Sequence, residues 1–216
     1  MQGGSKSIAD IRKDYRLQSL LEEHVAKNAI EQFAAWWNDA LVSEISEPNA
    51  MTLATASSDG LPSARIVLLK GFDENGFVFF TNYNSYKGEQ LSENPRASLV
   101  FFWKELERQV RIMGLIEKLS ARENDEYFHS RPEGSRIGAV VSPQSQVIEN
   151  REWLEAKVAE ATEQFSGKEI ARPESWGGYR VMPAIIEFWQ GRSNRLHDRI
   201  QYSFENGEWR ICRLAP

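Results

Sequence analysis

The sequence predicts a mainly β protein with helical additions, an α+β fold built on an antiparallel barrel. Short β-rich segments are joined by dipeptides typical of tight hairpins: Asp59-Gly60, Asn75-Gly76 and Asn206-Gly207. Helical patterns fall between groups of strands and not after every strand, which argues against an alternating parallel sheet. No shift in composition marks a linker. We therefore expect residues 1–20 to form a polar surface arm and residues 21–216 to form a single domain.

The first regular element is a helix. Five apolar residues recur at helical spacing and predict one buried face: Ile30, Phe33, Ala34, Trp37 and Leu41. Pro48 and Asn49 then interrupt the chain.

Three strands follow the helix, at residues 51–55, 64–70 and 77–81. The second contains Ile66 to Leu69, a continuous apolar run typical of a strand covered on both faces.

The rest of the chain mixes helices and strands. One helix is predicted over residues 120–130, where Pro132 stops it, and a longer surface helix over residues 149–165. Ser135 is expected to cap a further helix after Pro132. Five more segments have the strand pattern: residues 97–103, 109–119, 184–189, 199–204 and 208–214.

Composition excludes several classes of protein. The chain is 41% hydrophobic and 26% charged, which is typical of a globular protein. Its net charge of −5 argues against a protein that mainly coats nucleic acid. No apolar run approaches the ~20 residues of a membrane span, and the amino-terminus lacks the apolar core of a secretory signal. Cys212 is the only cysteine and the three histidines lie far apart, so we expect no disulfide and no metal site. These features predict a soluble protein of a reducing, cytoplasmic compartment.

A first group of candidate site residues lies near the carboxyl terminus. If residues 195–199 are extended, Arg195, His197 and Arg199 project from one face. Two permanent cations should lower the pKa of His197 and keep it neutral, which suits an anionic, hydrogen-bonding ligand. The alternative is a solvated edge strand whose arginines pair with Glu187 and Asp198, and the spacing favours neither interpretation.

Two further groups suggest phosphate sites. Tyr127 and Arg131 are four residues apart on one helix face, and Ser135 would add free backbone N–H groups at the next helix start. Capping serines and helix-terminal arginines are also common structural features.

The other group joins cations and hydroxyls around two neighbouring strands. Arg65 and Lys70 bracket the apolar strand on opposite faces, and Thr81, Ser85 and Lys87 follow the next strand. These residues predict a second anion pocket with aromatic walls nearby.

The segment I-E-F-W-Q-x4-R-L-H-D-R, from Ile186 to Arg199, resembles the signature of the pyridoxamine 5'-phosphate oxidase family. Further matches follow in the family's order after about residue 45: R-I-V-L-L-K (65–70), F-T-N (80–82), L-E-R-Q-V (106–110), Y-F-H-S-R-P (127–132), Gln144-Ser145, W-G-G (176–178) and the terminal R-L-A-P.

This resemblance implies an FMN-binding split β-barrel, assembled as a homodimer with two FMN molecules in clefts between the subunits. It implies oxidation of pyridoxamine or pyridoxine 5'-phosphate to pyridoxal 5'-phosphate, with O2 reoxidising the flavin to give hydrogen peroxide. A non-catalytic protein that binds flavin or pyridoxal phosphate, and a flavin reductase using another donor, stay open as alternatives.

The resemblance also assigns roles to residues. For FMN it implies contacts from Arg65, Ile66, Val67, Leu68, Phe80, Thr81, Lys87, Gln109, Gln144, Ser145, Trp189 and Arg199. For the substrate phosphate it implies Lys70, Tyr127, Arg131 and Ser135. It places Arg195 and His197 at the reacting carbon as catalytic residues, and Arg12 and Tyr15 in a segment that covers the substrate.

Two positions depart from the family pattern. Tyr86 stands where members usually carry an arginine beside the lysine matched by Lys87, so we expect weaker FMN retention. Residues 16–20 lack the glycine usual after Tyr15, which affects the expected conformation of the covering segment.

Overall fold

The computed structural model describes residues 7–8 and 13–216 of the chain. Within this part of the chain there are five α-helices: α1 (Ala29–Val42), α2 (Tyr86–Glu93), α3 (Ala121–Ser130), α4 (Glu133–Val141) and α5 (Arg151–Gln164). The strands are β1 (Ala50–Ala56), β2 (Pro62–Leu68), β3 (Gly71–Asp73), β4 (Gly76–Asn82), β5 (Arg96–Trp103), β6 (Arg108–Lys118), β7 (Trp176–Gln190), β8 (Asp198–Glu205) and β9 (Glu208–Leu214).

The strands form one sheet in the order β2-β1-β5-β6-β7-β4-β3, with β8 beside β7 and β9 beside β8. Antiparallel pairing joins β1 to β2, β3 to β4, β4 to β7, β7 to β8 and β8 to β9. Tight turns at the predicted dipeptides make the β1–β2, β3–β4 and β8–β9 hairpins, which confirms the antiparallel prediction. None of the helices in the described part is both long and apolar enough to span a bilayer.

The chain forms two compact units. The first comprises Met1–Pro48, Val100–Arg111 and Ile185–Pro216, and the second comprises Asn49–Leu99 and Ile112–Ala184. Strands β5, β6 and β7 contribute residues to both units.

The core of the first unit is built around the buried face of α1. Phe33 packs on Phe101 with ring centroids 5.3 Å apart, and Trp36 meets Phe188 edge-on at 5.2 Å. All four rings are at most 4% exposed. The helix begins at its Asn28 cap, whose side chain accepts the Ile30 backbone N–H. The helix does bury one face, but that face is Ala29, Gln32, Phe33, Trp36 and Ala40. Of the predicted stripe only Phe33 belongs to it, and Leu41 is 51% exposed, so the predicted stripe is displaced around the helix from the face that packs.

The core of the second unit lies beneath three of its helices. Phe128, Ile137, Ala161, Ile170 and Trp176 form one buried cluster. Helix α3 begins with a reciprocal capping box between Ser120 and Glu123 and ends before Pro132, as its sequence predicts.

Two local predictions are wrong. Strand β2 is not covered on both faces, because Ile66 is 65% exposed and burial alternates along the strand. The strand stands at one end of the sheet order, so one of its edges has no neighbour within the described strands.

Ser135 is not a cap either: α4 begins at Glu133 after Pro132, and the Ser135 N–H already donates to the Pro132 carbonyl. Proline's fixed φ suits a helix start, which moves the start ahead of Ser135.

Candidate functional site

A cavity of about 560 Å³ lies in the second unit, and we call it the cationic cavity. Its lining residues are Arg65, Ile66, Val67, Leu68, Lys70, Phe80, Thr81, Asn82, Lys87, Tyr127, Arg131, Pro132, Ser135, Gln144 and Trp176. The structure thus brings the four residues expected at the substrate phosphate and eight of those expected at FMN into one cavity, and not into the two separate anion pockets that the sequence predicts. Arg65 and Lys70 border the same space although opposite faces were predicted, because β2 ends at Leu68 and Lys70 lies beyond the regular strand.

Four cations line this cavity, and none of them has a carboxylate partner among the described residues. Arg65, Lys70, Lys87 and Arg131 make no ion pair within residues 7–8 and 13–216. By contrast, Arg180 in the same unit pairs with Asp73 at 2.6 Å. Unpaired positive charges facing one space repel each other and make that space attractive to an anion.

Arg65 is held by hydroxyl groups of β1 and β2. Its Nη1 donates to Thr55 Oγ1 and its Nη2 to Ser63 Oγ, both at 2.6 Å. Burial lowers the pKa of the Arg65 guanidinium, which nevertheless stays charged at neutral pH.

Lys87 lies in the first turn of α2, after the Ser85 cap. Its Nζ donates to Gln144 Oε1 at 2.8 Å and to the hydroxyls of Thr81 and Ser85 at 3.2 Å. Burial, followed by the charge of Arg65, lowers the pKa of Lys87 to about 8. An anion in the cavity would favour its protonated form.

Aromatic rings form a second wall of the cavity. Phe80 stacks on Tyr127 at 3.9 Å and on Trp176 at 5.3 Å between centroids. The Arg131 guanidinium lies over the Trp176 ring at 4.5 Å, and its buried Nη1 has no hydrogen-bond partner among the described residues. A buried donor of this kind indicates a missing acceptor.

The close approach of Phe80 depends on glycine. Gly178 is its partner across β4 and β7, and a Cβ there would lie 2.9 Å from the Phe80 ring. The site predictions did not include Trp176, although the W-G-G motif pointed to this stretch of β7.

A second pocket, of about 590 Å³, lies in the first unit and is lined by Lys13, Asp14, Tyr15, Arg192, Asn194, Arg195 and His197. We call it the histidine pocket. His197 Nδ1 accepts the backbone N–H of Arg192 at 3.1 Å, so the neutral ring carries its hydrogen on Nε2. Burial and then the charge of Arg195 lower the pKa of His197, which confirms the predicted direction.

Residues 195–199 are not one extended strand. Ser193–Arg195 form a 3₁₀ turn with φ of 56° at Asn194 and 62° at Arg195, and β8 begins only at Asp198. These left-handed residues turn the chain, so Arg195 and His197 share the pocket while Arg199 does not line it.

Arg199 agrees in part with the alternative interpretation, in which the arginines of this segment pair with Glu187 and Asp198. Its Nε donates to Glu187 at 2.8 Å and its Nη1 to the Ala215 carbonyl at 2.7 Å. Asp198 instead pairs with Arg213 at 2.8 Å and with Arg192 at 3.5 Å.

The remaining candidates lie elsewhere. Gln109 is half-buried in β6, and Ser145 is exposed with a φ of 70°. Trp189 lies 4.5 Å from the His197 ring, between centroids, and Tyr15 meets Trp189 edge-on at 5.8 Å. Arg12 lies outside the described residues.

Comparison with known proteins decides the family. A family model described as pyridoxamine 5'-phosphate oxidase matches residues 37–165, and one described as the pyridoxine 5'-phosphate oxidase C-terminal dimerisation region matches residues 176–216. The chain belongs to the pyridoxamine 5'-phosphate oxidase family.

Relatives of this pyridoxamine 5'-phosphate oxidase family member support the assignment along its whole length. The pyridoxine/pyridoxamine 5'-phosphate oxidase of Nostoc punctiforme is 59% identical over 212 residues, which cover 98% of this chain and 99% of the relative. Family membership and the split β-barrel fold with helical additions are thereby confirmed.

Solved structures agree with the fold. PhzG from Burkholderia lata, in complex with tetrahydrophenazine-1-carboxylic acid, is 33% identical with a TM-score of 0.87, covering 93% of this chain and 99% of PhzG. A pyridoxamine 5'-phosphate oxidase-related, FMN binding protein of Nostoc punctiforme is 17% identical with a TM-score of 0.72, covering 89% and 100%. The latter likeness concerns the fold alone.

Proposed function

We propose that the protein is an FMN-dependent oxidase that converts pyridoxamine and pyridoxine 5'-phosphates to pyridoxal 5'-phosphate, with O2 as acceptor giving hydrogen peroxide. The observation that carries this proposal is the cationic cavity, where four cations that have no carboxylate partner in the described part of the chain face one space beside stacked aromatic rings. Phosphorylated aromatic molecules match both features.

The residues present fit FMN. Arg65 and Lys87 supply charge for its phosphate, and Thr81 and Gln144 supply hydrogen bonds beside Lys87. Exposed and half-buried residues of β2, Ile66 to Leu68, offer an open apolar edge for the ring system. When bound, FMN supplies the hydride acceptor and passes the electrons on to O2.

A second phosphate group has its own set of residues. Lys70, Tyr127, Arg131 and Ser135 line the same cavity, and Arg131 offers an unpartnered Nη1. Holding the substrate by a phosphate remote from its reacting carbon uses binding energy for orientation.

Arg195 and His197 complete the proposed chemistry as catalytic residues. Because the Arg192 N–H occupies Nδ1, only Nε2 of His197 is left to meet the substrate's amine or hydroxyl group. The neutral ring donates that hydrogen bond, while Arg195 adds a fixed positive charge in the same pocket. Arg12 and Tyr15 would cover the bound substrate.

We also propose a homodimer with FMN at the subunit interface, in which Gln109, Ser145, Trp189 and Arg199 complete the cofactor site. The match of residues 176–216 to a dimerisation region supports this assembly. Residues 1–20 would act as an arm and residues 21–216 as one cytoplasmic domain.

The test is to mix the FMN-loaded protein with pyridoxine 5'-phosphate in air. An oxidase bleaches and then regains its flavin absorbance while aldehyde and peroxide form. An unchanged spectrum would indicate a non-catalytic binder, and bleaching only by a nicotinamide donor would indicate a flavin reductase.

Two variants locate the reaction centre. Arg195→Leu and His197→Asn should each depress kcat by about a hundredfold while FMN content stays near one per subunit. Near-normal kcat in both variants would remove these residues from the reaction.

A further inference from the structure

We infer that Gln90 is a positioning residue for the cofactor phosphate, acting through the hydroxyls of Thr55 and Ser63 to aim Arg65 into the cationic cavity. The inference rests on the proposed function, since it assumes that Arg65 binds the FMN phosphate. Gln90 itself does not line the cavity.

A branched hydrogen-bond network joins the two residues. Arg65 Nη1 and Nη2 donate to the hydroxyl oxygens of Thr55 and Ser63, each at 2.6 Å. Both hydroxyls donate in turn to the same atom, Gln90 Oε1, again at 2.6 Å. The two hydroxyls lie opposite each other on paired strands, with their oxygens 3.3 Å apart.

The chemistry of the donors fixes the direction of every bond. A guanidinium can only donate, so each hydroxyl oxygen accepts from Arg65 and must direct its single hydrogen elsewhere. The Gln90 carbonyl oxygen is the acceptor for both hydrogens. Without it, the hydroxyls would rotate or turn their hydrogens toward the cation, and the fork that holds Arg65 would loosen.

Burial keeps water from substituting for the groups of this network. Gln90 is 3% exposed and Thr55 is 4% exposed, so water does not readily replace either group. The Gln90 Nε2 is buried with no partner among the described residues, a burden on stability that an apolar side chain would avoid. The residue's contribution therefore lies in its oxygen.

The network leaves part of Arg65 free for a ligand. Within the described residues, Arg65 Nε makes no hydrogen bond, and the guanidinium borders the cavity. Gln90 lies one turn after Lys87 on α2, so a single helix presents one cation to the cavity and braces the other.

The test compares FMN with riboflavin, which has the same ring system and no phosphate. Both are titrated into flavin-free protein and followed by flavin fluorescence. We expect Gln90→Leu to raise the Kd for FMN about tenfold and to change the Kd for riboflavin by less than about twofold. Thr55→Val removes one branch of the same network and should show the same selectivity if Gln90→Leu folds poorly.

The decisive measurement is whether the effects of the Gln90 and Arg65 substitutions on FMN affinity depend on each other. Arg65→Ala should weaken FMN binding and spare riboflavin, and Gln90→Leu should add nothing in that background. Gln32→Leu is the matched control, because Gln32 is also buried and accepts the Ala26 N–H through Oε1. Gln32→Leu should lower thermal stability and leave the ratio of the Kd for FMN to the Kd for riboflavin unchanged.

The outcomes separate this inference from the proposed function. Equal weakening of both ligands by Gln90→Leu, unchanged FMN affinity, or additivity with Arg65→Ala would overturn the positioning role. If Arg65→Ala itself leaves FMN affinity unchanged, the assignment of the phosphate site to Arg65 fails, and this inference fails with it.

Discussion

In the proposed FMN site, Lys87 would make cofactor binding sensitive to pH. Its pKa of about 8 in the ligand-free protein reflects burial and the nearby Arg65, and an anion favours the protonated form. Below pH 8 the lysine is already charged, whereas above it binding must take up a proton. The FMN phosphate is dianionic over this range because its second pKa is about 6.

We therefore predict that FMN affinity falls as pH rises from 7 to 9.5, by at most about tenfold per unit above pH 8. The Kd for FMN is measured at each pH by fluorescence titration at fixed ionic strength. Lys87→Gln should bind FMN more weakly at pH 7 and lose most of this dependence. A pH profile identical in the two proteins would contradict the role of Lys87.

Tyr86 provides a second prediction for the same ligand. It is the first residue of α2 and 47% exposed, next to Lys87, at the position where family members usually carry arginine. A charged hydrogen bond to phosphate contributes about 1.5–3 kcal/mol, so Tyr86→Arg should lower the Kd for FMN by about ten- to a hundredfold.

Ser92→Arg controls for added charge, because Ser92 is exposed near the far end of the same helix, whereas Tyr86 is at its start, next to the cavity-lining Lys87. It should change the FMN affinity by less than about twofold in moderate salt. Equal or weaker FMN binding by Tyr86→Arg would show that the tyrosine already supplies what the arginine would add.

At the scale of elements, local signals predicted most of the regular structure. The Ser120 cap and Pro132 bracket α3, and strand β9 runs from Glu208 to Leu214 as its pattern indicates. Tyr127 and Arg131 share the cavity as their spacing predicts, although Arg131 is the extended C-cap of α3 and not a residue of the helix itself.

Local sequence patterns did not predict the long-range strand pairing or the unusual backbone conformations. Trp176 reaches the cavity because β7 extends eight residues before the predicted start at 184 and pairs with β4. The turn at Asn194 and Arg195 needs positive φ in residues that are not glycine, and no local pattern announces it. Gln90 was missed because it acts through other side chains.

Residues 13–17 of the segment before α1 are held by one buried carboxylate, and residues 18–22 have separate contacts to Arg108, Arg192, Asp198 and Arg213. Glu107, whose side chain is 4% exposed, accepts the backbone N–H groups of Arg16 and Leu17 at 2.8 and 3.2 Å. Lys13 adds an ion pair at 3.3 Å. These contacts hold Tyr15 against Gly191, where a Cβ would come within 2.7 Å of the tyrosine side chain.

We predict that Glu107→Ala frees this segment. Hydrogen bonds to a charged group contribute about 1.5–3 kcal/mol each, so tryptic cleavage after Lys13 and Arg16 should accelerate by at least about tenfold. The KM for pyridoxine 5'-phosphate should rise more than kcat falls, because Tyr15 lines the histidine pocket.

Glu155→Ala serves as the control, since it breaks only the exposed pair with Arg151 on α5. It should leave both the cleavage rate and KM unchanged. Cleavage of Glu107→Ala at the wild-type rate would mean that the segment is held by other contacts.

At the scale of the whole molecule, the site residues divide between the two units. The cationic cavity belongs to the second unit, and Trp189, Arg195 and His197 belong to the first. Those three also fall within residues 176–216, which match the family's dimerisation region. A dimerisation region that carries residues proposed for the reaction centre supports the proposal that each active site draws on two protomers.

Mixed dimers test this arrangement directly. Arg65→Ala disables the cationic cavity, and His197→Asn disables the histidine pocket, so each homodimer should be nearly inactive. If each site combines the cavity of one protomer with the histidine of its partner, a dimer of the two variants has one doubly defective site and one intact site. Co-expression with two affinity tags should then yield heterodimers with about half the wild-type activity per dimer. Heterodimers as inactive as both parents would show that each site is built within one protomer, and a flavin-loaded monomer in sedimentation would exclude the shared site altogether.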